Sequence, residues 1–292
     1  MKLEEALKLY EGKEGVKEIK SLIKKGINSR YLKKKVIDEE NIKNMCSIHI
    51  AVIFGYKEII EALINNGADI NIKDGNGNTA LATAIYYEWH KRANNFMQDF
   101  FDTKSDDINK NDNYINTEYK EIIYMLIEKG ANVNIAHHYE YTPLMLASIL
   151  GDTKMASMII NNGADIDAIY GYYGETSLIF SIIYGHIETA SMLIERGADI
   201  NLKVTLHKKN ALMYAIEIGN KEMISMLIEK GIDINAQDYD GWTALMYASD
   251  KLDKDIVSIL IKNGADINIK DNSGWTAKII LSNRIIARDN FK

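Results

Sequence analysis

The sequence predicts an all-α solenoid, built from stacked helix–turn–helix units joined by β-hairpin-like fingers. Three observations carry that prediction. A phrase of the form Gly-Ala-Asp-Ile-Asn begins at Gly67 and returns at Gly130, Gly163, Gly197, Gly231 and Gly264, so successive glycines lie 63, 33, 34, 34 and 33 residues apart. A second marker, Thr79-Ala80-Leu81, keeps the same beat at Thr142, Thr176, Asn210 and Thr243. From this marker to the next glycine is 21 residues in four cases and 51 in the case of Thr79, which therefore carries a 30-residue insertion. The third observation is a single proline, Pro143, in 292 residues. A chain of that length suggests about two domains joined by irregular linkers. Self-similarity at a fixed period points instead to one repeat array.

Each unit follows from its residues. The threonine caps a helix by accepting from an early backbone N–H, and Pro143 stands at the first helical position, where proline is tolerated. This first helix runs about nine residues, to Gly55, Gly151, Gly185 or Gly219. A second helix follows, with apolar residues at helical spacing: Ile59, Ile60, Leu63 and Ile64 in one unit, Met223, Ile224, Leu227 and Ile228 in another. The marker glycine supplies a left-handed C-cap. A turn such as Asp74-Gly75-Asn76-Gly77 then projects as a finger.

These residues resemble the ankyrin repeat and its T-P-L-H-x-A signature, over nearly the whole chain. The motif histidine survives only as His49, its place being taken by Ala82, Met145, Ile179, Met213 and Met246. The finger at 202–209 is the least regular, with Lys208 where other units carry glycine and Asn210 where they carry threonine. The division that follows is an irregular N-terminal capping repeat at 1–45, repeats at 46–78, 79–141, 142–175, 176–209, 210–242 and 243–275, and a C-terminal cap at 276–292. The insertion falls at about 88–117. Its first part, Trp89, Ala93, Phe96, Met97 and Phe100, is spaced as one face of a helix continuing beyond Tyr87, and its second part is polar.

Composition excludes several classes. One cysteine, Cys46, cannot form an internal disulfide, which argues against a disulfide-built secreted scaffold. The charged N-terminal stretch has no apolar signal region, and no uncharged run reaches the roughly 20 residues a bilayer span needs. A net charge of −6 disfavours a phosphate-backbone binder, and Lys203, His207, Lys208 and Lys209 form only a small basic cluster. Cytoplasmic residence is the expectation, with delivery into a host cell by a signal-less secretion route as the alternative.

Catalytic motifs are missing: no phosphate loop, no H-E-x-x-H helix and no nucleophile elbow. Gly75 and Gly77 read as turn glycines, Cys46 lacks a placed base, and His137-His138 read as surface histidines. Asp107, Asn109, Asn111 and Glu118 fall at positions 1, 3, 5 and 12 of a calcium-loop spacing, but Asp112 replaces the sharp-turn glycine. The expectation is a non-enzyme with no cofactor and no metal.

The resemblance implies a concave surface lined by the fingers and the first helices. The two positions before each first-helix glycine fall there: Ile53 and Phe54, Tyr86 and Tyr87, Ile149 and Leu150, Ile183 and Tyr184, Glu217 and Ile218. Asp250 and Lys251 end that row. The residue before each cap adds Asn78, Tyr141, Glu175, Lys209, Trp242 and Trp275, and Tyr139, Tyr170, Tyr172, Tyr173 and Tyr239 lie on the finger tips. Contiguous apolar and aromatic groups on an exposed face mark a partner-binding surface. Phe54, Tyr86, Tyr87, Tyr141, Leu150, Tyr184, Ile218, Trp242 and Trp275 are therefore the candidate binding residues, for a partner protein rather than nucleic acid or membrane. The chain itself is expected to be monomeric. An assembly spacer in a larger complex is the second reading; a metal-dependent or enzymatic role for the insertion is the third.

Overall fold

Helices begin at the residue the spacing marks. The side-chain oxygens of Thr79, Thr142, Thr176, Asn210 and Thr243 each accept the backbone N–H three residues on, at 3.1 to 3.4 Å. One of the N-terminal orphan donors is thereby satisfied, and the helix starts one residue later. Asn210 does the work of threonine because its amide oxygen offers the same acceptor. The computed structural model describes residues 47–53, 55–65, 67–100, 119–137, 141–170, 174–203 and 206–290. The 1–45 segment, the calcium-like spacing at 107–118 and the polar half of the insertion lie outside the described residues.

The chain divides into two compact units. The first (Met1–Leu146 with Asn161–Ala164) contains α1 Ser47–Ile53, α2 Lys57–Asn65, α3 Ala80–Phe100 and α4 Tyr119–Glu128. Within it α1 packs on α2 and α3, and α3 on α4. Helix α5, Pro143–Leu150, runs across the division. The second unit holds α6 Thr153–Asn161, α7 Ser177–Ile183, α8 Ile187–Glu195, α9 Ala211–Ile218, α10 Lys221–Glu229, α11 Ala244–Asp250, α12 Lys254–Lys262 and α13 Ala277–Asn290. Here first helices stack on first helices (α7 on α9, α9 on α11, α11 on α13), while α7, α9 and α11 each also pack on their own second helix.

The second helices bury a stripe. Ile60 and Leu63 of α2, Met223, Ile224 and Leu227 of α10, and Ile256 and Leu260 of α12 are buried, with lysines and glutamates on the opposite faces. The six marker glycines that follow have φ between 86° and 98°, the left-handed region a C-cap requires. At the end of the first helix Gly55, Gly185 and Gly219 also have positive φ. Helix α3 has Glu88 at that position and does not stop; it runs on to Phe100, extending beyond Tyr87 as its apolar spacing predicts.

Side chains tie one repeat to the next. In the first unit Asn71 Oδ1 accepts the Asn132 N–H at 2.7 Å, and Lys57 pairs with Glu121 at 2.6 Å. In the second, Asp167, Asn201 and Asn235 accept the N–H groups of Asp199, Asp233 and Asp266. Lys230 pairs with Glu195, and Lys221 with Asp255.

The fingers are tighter than the hairpins expected of them. Among the described residues they contain no strand, only the isolated bridges Tyr170–Glu175 and Gln237–Thr243. An aspartate closes each regular finger instead. Asp238 Oδ1 accepts the N–H groups of Asp240 and Trp242, Asp271 does so from Ser273 and Trp275, and Asp74 from Asn76 and Asn78. This is an Asx turn, in which a short side chain replaces the ladder partner.

Candidate partner-binding surface

In the first unit the surface residues are anchored by one another. Tyr86 is half-buried, stacked on His137 at 4.6 Å and 14°, with the His90 ring edge-on at 4.4 Å. His90 Nε2 and the Tyr86 hydroxyl are 2.5 Å apart, and burial pulls His90 below its ordinary pKa. Tyr87 lies 5.8 Å from the ring of buried Tyr119, whose hydroxyl donates to the Ile53 carbonyl at 2.6 Å. Trp89, at the start of the insertion, contacts Tyr86 and His90 and is half-buried. Tyr141 is half-buried as well. Phe54, His138, Tyr139 and Phe96 lie outside what is described.

Three expectations for this row change. His137 is a buried residue, not a surface histidine, because its ring is covered by Tyr86. Asn78 is buried too: its Nδ2 donates to Asp74 and its carbonyl accepts from His49 Nε2 at 2.8 Å. Ile53 is buried with the rest of α1. Cys46 is outside the described residues. His49 itself is fully buried, and burial holds its imidazole below the usual range.

The second unit keeps more of its row in the open. Tyr184 is 50% exposed, Ile218 47% and Trp275 46%, and Tyr170 and Tyr239 are exposed on finger tips. Trp242 is half-buried, edge-on to Tyr247 at 5.2 Å. Leu150 is the correction here: it is 8% exposed, and Ile149 is buried beside it. Helix α5 carries apolar side chains all round and is buried along its whole length, as such a helix must be. Leu150 therefore belongs to the core and not to an exposed contact row.

Two tyrosines that the marker rows do not include occupy the same region. Tyr214 and Tyr247 stand four residues after the caps Asn210 and Thr243, where other units hold Ile50, Thr83, Leu146 and Phe180. The Lys209 ammonium lies 5.0 Å from the Tyr247 ring centre and 5.8 Å from that of Tyr214, and pairs with Glu217 at 2.6 Å. The Tyr247 hydroxyl donates to Asp238. Burial, then Glu175 and Glu217, push Tyr214 up to about 12; burial and the bond to Asp238 push Tyr247 up as well. The readable signal is the appearance of tyrosine at this position in two consecutive units.

Among the described residues, no group of three or more His, Cys, Asp or Glu side chains is placed to hold a metal ion. Nor is any described helix long and apolar enough to cross a membrane.

Comparison with known proteins agrees with this architecture. Models of ankyrin repeats match residues 48–93 (many copies) and residues 114–204 and 203–271 (three copies). The potassium channel AKT2/3 of Arabidopsis thaliana is 28% identical over 137 residues, 44% of this chain and 16% of the channel. The ankyrin repeat protein FPV222 of fowlpox virus is 30% identical over 150 residues, 49% of this chain and 18% of the viral protein. The chain thus spans less than a fifth of either relative. The crystal structure of the ankyrin repeat domain of Bcl-3 superposes with a TM-score of 0.65 at 23% identity, covering 83% of this chain and 97% of that domain. With the three-copy model alone accounting for more than half of its length, the chain belongs to the ankyrin repeat family.

Proposed function

We propose that the protein is a non-catalytic scaffold that docks a partner protein on the face formed by its first-helix ends and fingers. Ankyrin repeats in general are protein–protein interaction modules, and their fold is typically non-catalytic. The observation that carries the reading here is the exposure of three aromatics, Tyr184, Tyr239 and Trp275, together with Ile218, at first-helix ends and finger positions of one unit. Exposed aromatics grouped on a framework already ordered by folding can anchor a partner at little further entropic cost. Trp242 adds to the set; the first unit, taken by itself, offers Tyr87 and Tyr141. The test is Tyr184→Ala and Trp242→Ala: each weakens binding to the native partner, found by crosslinking in native lysate, while circular dichroism stays unchanged. Full affinity in both variants would remove the face from consideration. We assign the protein to the cytoplasm, or to a host cell it is delivered into, which fractionation would decide.

One feature favours assembly as a second reading. Ile279 of α13 is 41% exposed, whereas Met246, at the same place in the preceding repeat, is 1% exposed. Ile286, one heptad on, is exposed too. Light scattering that rises with concentration in the native chain and not in Ile279→Lys would support self-association; a constant mass would leave the monomeric scaffold.

A further inference from the structure

We propose that the binding face of the second unit takes a basic side chain, arginine above all, from a protein segment whose neighbouring apolar residue rests on Tyr184 and Ile218. This inference rests on the protein-binding reading above and specifies its partner chemistry.

Four consecutive repeats set Glu175, Lys209, Trp242 and Trp275 at the position just before the cap. The chain's own Lys209 shows what this wall accepts. Its ammonium is held against the rings of Tyr247 and Tyr214 and by the Glu217 carboxylate, and its side chain is largely buried. Aromatic faces with a carboxylate at their edge form a cation seat, because the ring quadrupole and the anion attract the same charge.

Glu175, Glu217, Asp238 and Asp240 share this region with Lys209, Lys251, Lys203 and Lys208, so its formal charge balances and the demand for a cation is local to Glu175. The ammonium of Lys209 is committed to Glu217, and Asp238 is committed to the Tyr247 hydroxyl and the N–H groups of Asp240 and Trp242. Lys251 donates to the Glu217 carbonyl. Glu175 is half-buried and is in none of the ion pairs among the described residues. Burial raises its carboxyl above the ordinary range, opposed only by a bond to its own backbone N–H. Its charge reaches Tyr214, which it pushes upward. A cation brought by a partner would offset that desolvation.

Arginine suits the place better than lysine. A planar guanidinium can stack on an indole or phenol while giving two N–H groups to one carboxylate. The finger-tip cations Lys203 and Lys208 limit the demand to one basic residue, since a polybasic stretch would meet repulsion there. Tyr184 and Ile218, at the ends of α7 and α9, offer apolar surface for the residue beside it.

The experiment is selection of random peptides displayed on phage against the full chain, followed by affinity measurement on synthetic peptides. The expected winners share one arginine next to an apolar residue. Their affinity falls about tenfold on Glu175→Gln, and about tenfold on replacing that arginine by citrulline, with no further loss when both changes are combined. Peptides that need Tyr184 but carry no basic residue, or that bind as well with citrulline, would overturn this inference and leave the binding face standing. Peptides indifferent to both Tyr184→Ala and Trp242→Ala would overturn the face itself.

Discussion

Gly151 faces the imidazole of His186 so closely that a methyl group on its α-carbon would lie 2.4 Å from Nδ1. His186 is fixed from the other side, its Nε2–H donating to the Ile149 carbonyl at 3.0 Å. The turn after α5 therefore makes two demands on residue 151: a φ of 65°, and no side chain. Gly219 makes only the first, with a φ of 80° and nothing within 4 Å of an added methyl.

Gly219→Ala accordingly costs about 1 kcal/mol, the strain of an L-residue in the left-handed region. Gly151→Ala costs about 2 kcal/mol, because the imidazole must also give up its bond. Urea denaturation of the two variants measures the difference. Equal losses would mean that His186 moves aside freely.

The opposite substitution is expected to help at Lys208. This residue has a φ of 53°, at the finger position where Gly77, Gly174, Gly241 and Gly274 have φ between 72° and 86°. Its side chain is exposed, so nothing packed is lost on removing it. Lys208→Gly should stabilise the second unit by about 0.5–1 kcal/mol, read as a rise in urea midpoint. Leu252, with a φ of 59° at the end of α11, is the parallel case, but its half-buried side chain makes the gain smaller.

Lys208 is legible in the sequence, since a lysine in a glycine's place breaks a counted pattern. The caps and the helical stripes were legible for the same reason, as local features repeated in register. The contact of Gly151 with His186 was not, because it joins residues 35 apart in sequence and depends on how neighbouring turns meet. Leu150 was misplaced because periodicity cannot rank the faces of an eight-residue helix that is apolar on all of them. The cation seat is not legible in the sequence because Tyr214 and Tyr247 sit at a position that is core in earlier units. Only the placement of Lys209 over their rings reveals it.

His49 makes the first unit sensitive to acid. Its imidazole is buried, donates from Nε2 to the Asn78 carbonyl, and has no partner at Nδ1. Burial lowers its folded-state pKa beneath the ordinary 6.5. The neutral ring thus contributes stability that is complete above that value and is lost as pH falls through the lowered one. The protection factors of the α1 amides, corrected for the intrinsic pH dependence of exchange, should fall on acidification below pH 6.5. His49→Gln, which can still donate to Asn78, should abolish that dependence; an unchanged profile would assign it to another group.

Asp167 carries the opposite sign. It is the one aspartate among the inter-repeat acceptors of its unit, holding the Asp199 N–H at 3.0 Å where Asn201 and Asn235 hold the equivalent N–H groups at 2.8 Å. Burial raises its carboxyl, and the charges of Asp199 and Asp165 add to that rise. A raised carboxyl means the ionised form is the less stable one in the folded chain. Its penalty is absent below the ordinary value of 3.8 and complete above the raised one. Asparagine keeps the acceptor and removes the charge, so Asp167→Asn should melt higher than the native chain at neutral pH. The two melting curves should converge as pH falls below 3.8, where the aspartate is neutral in both states. A gap that persisted in acid would mean that the acceptor geometry, and not the charge, separates the two residues.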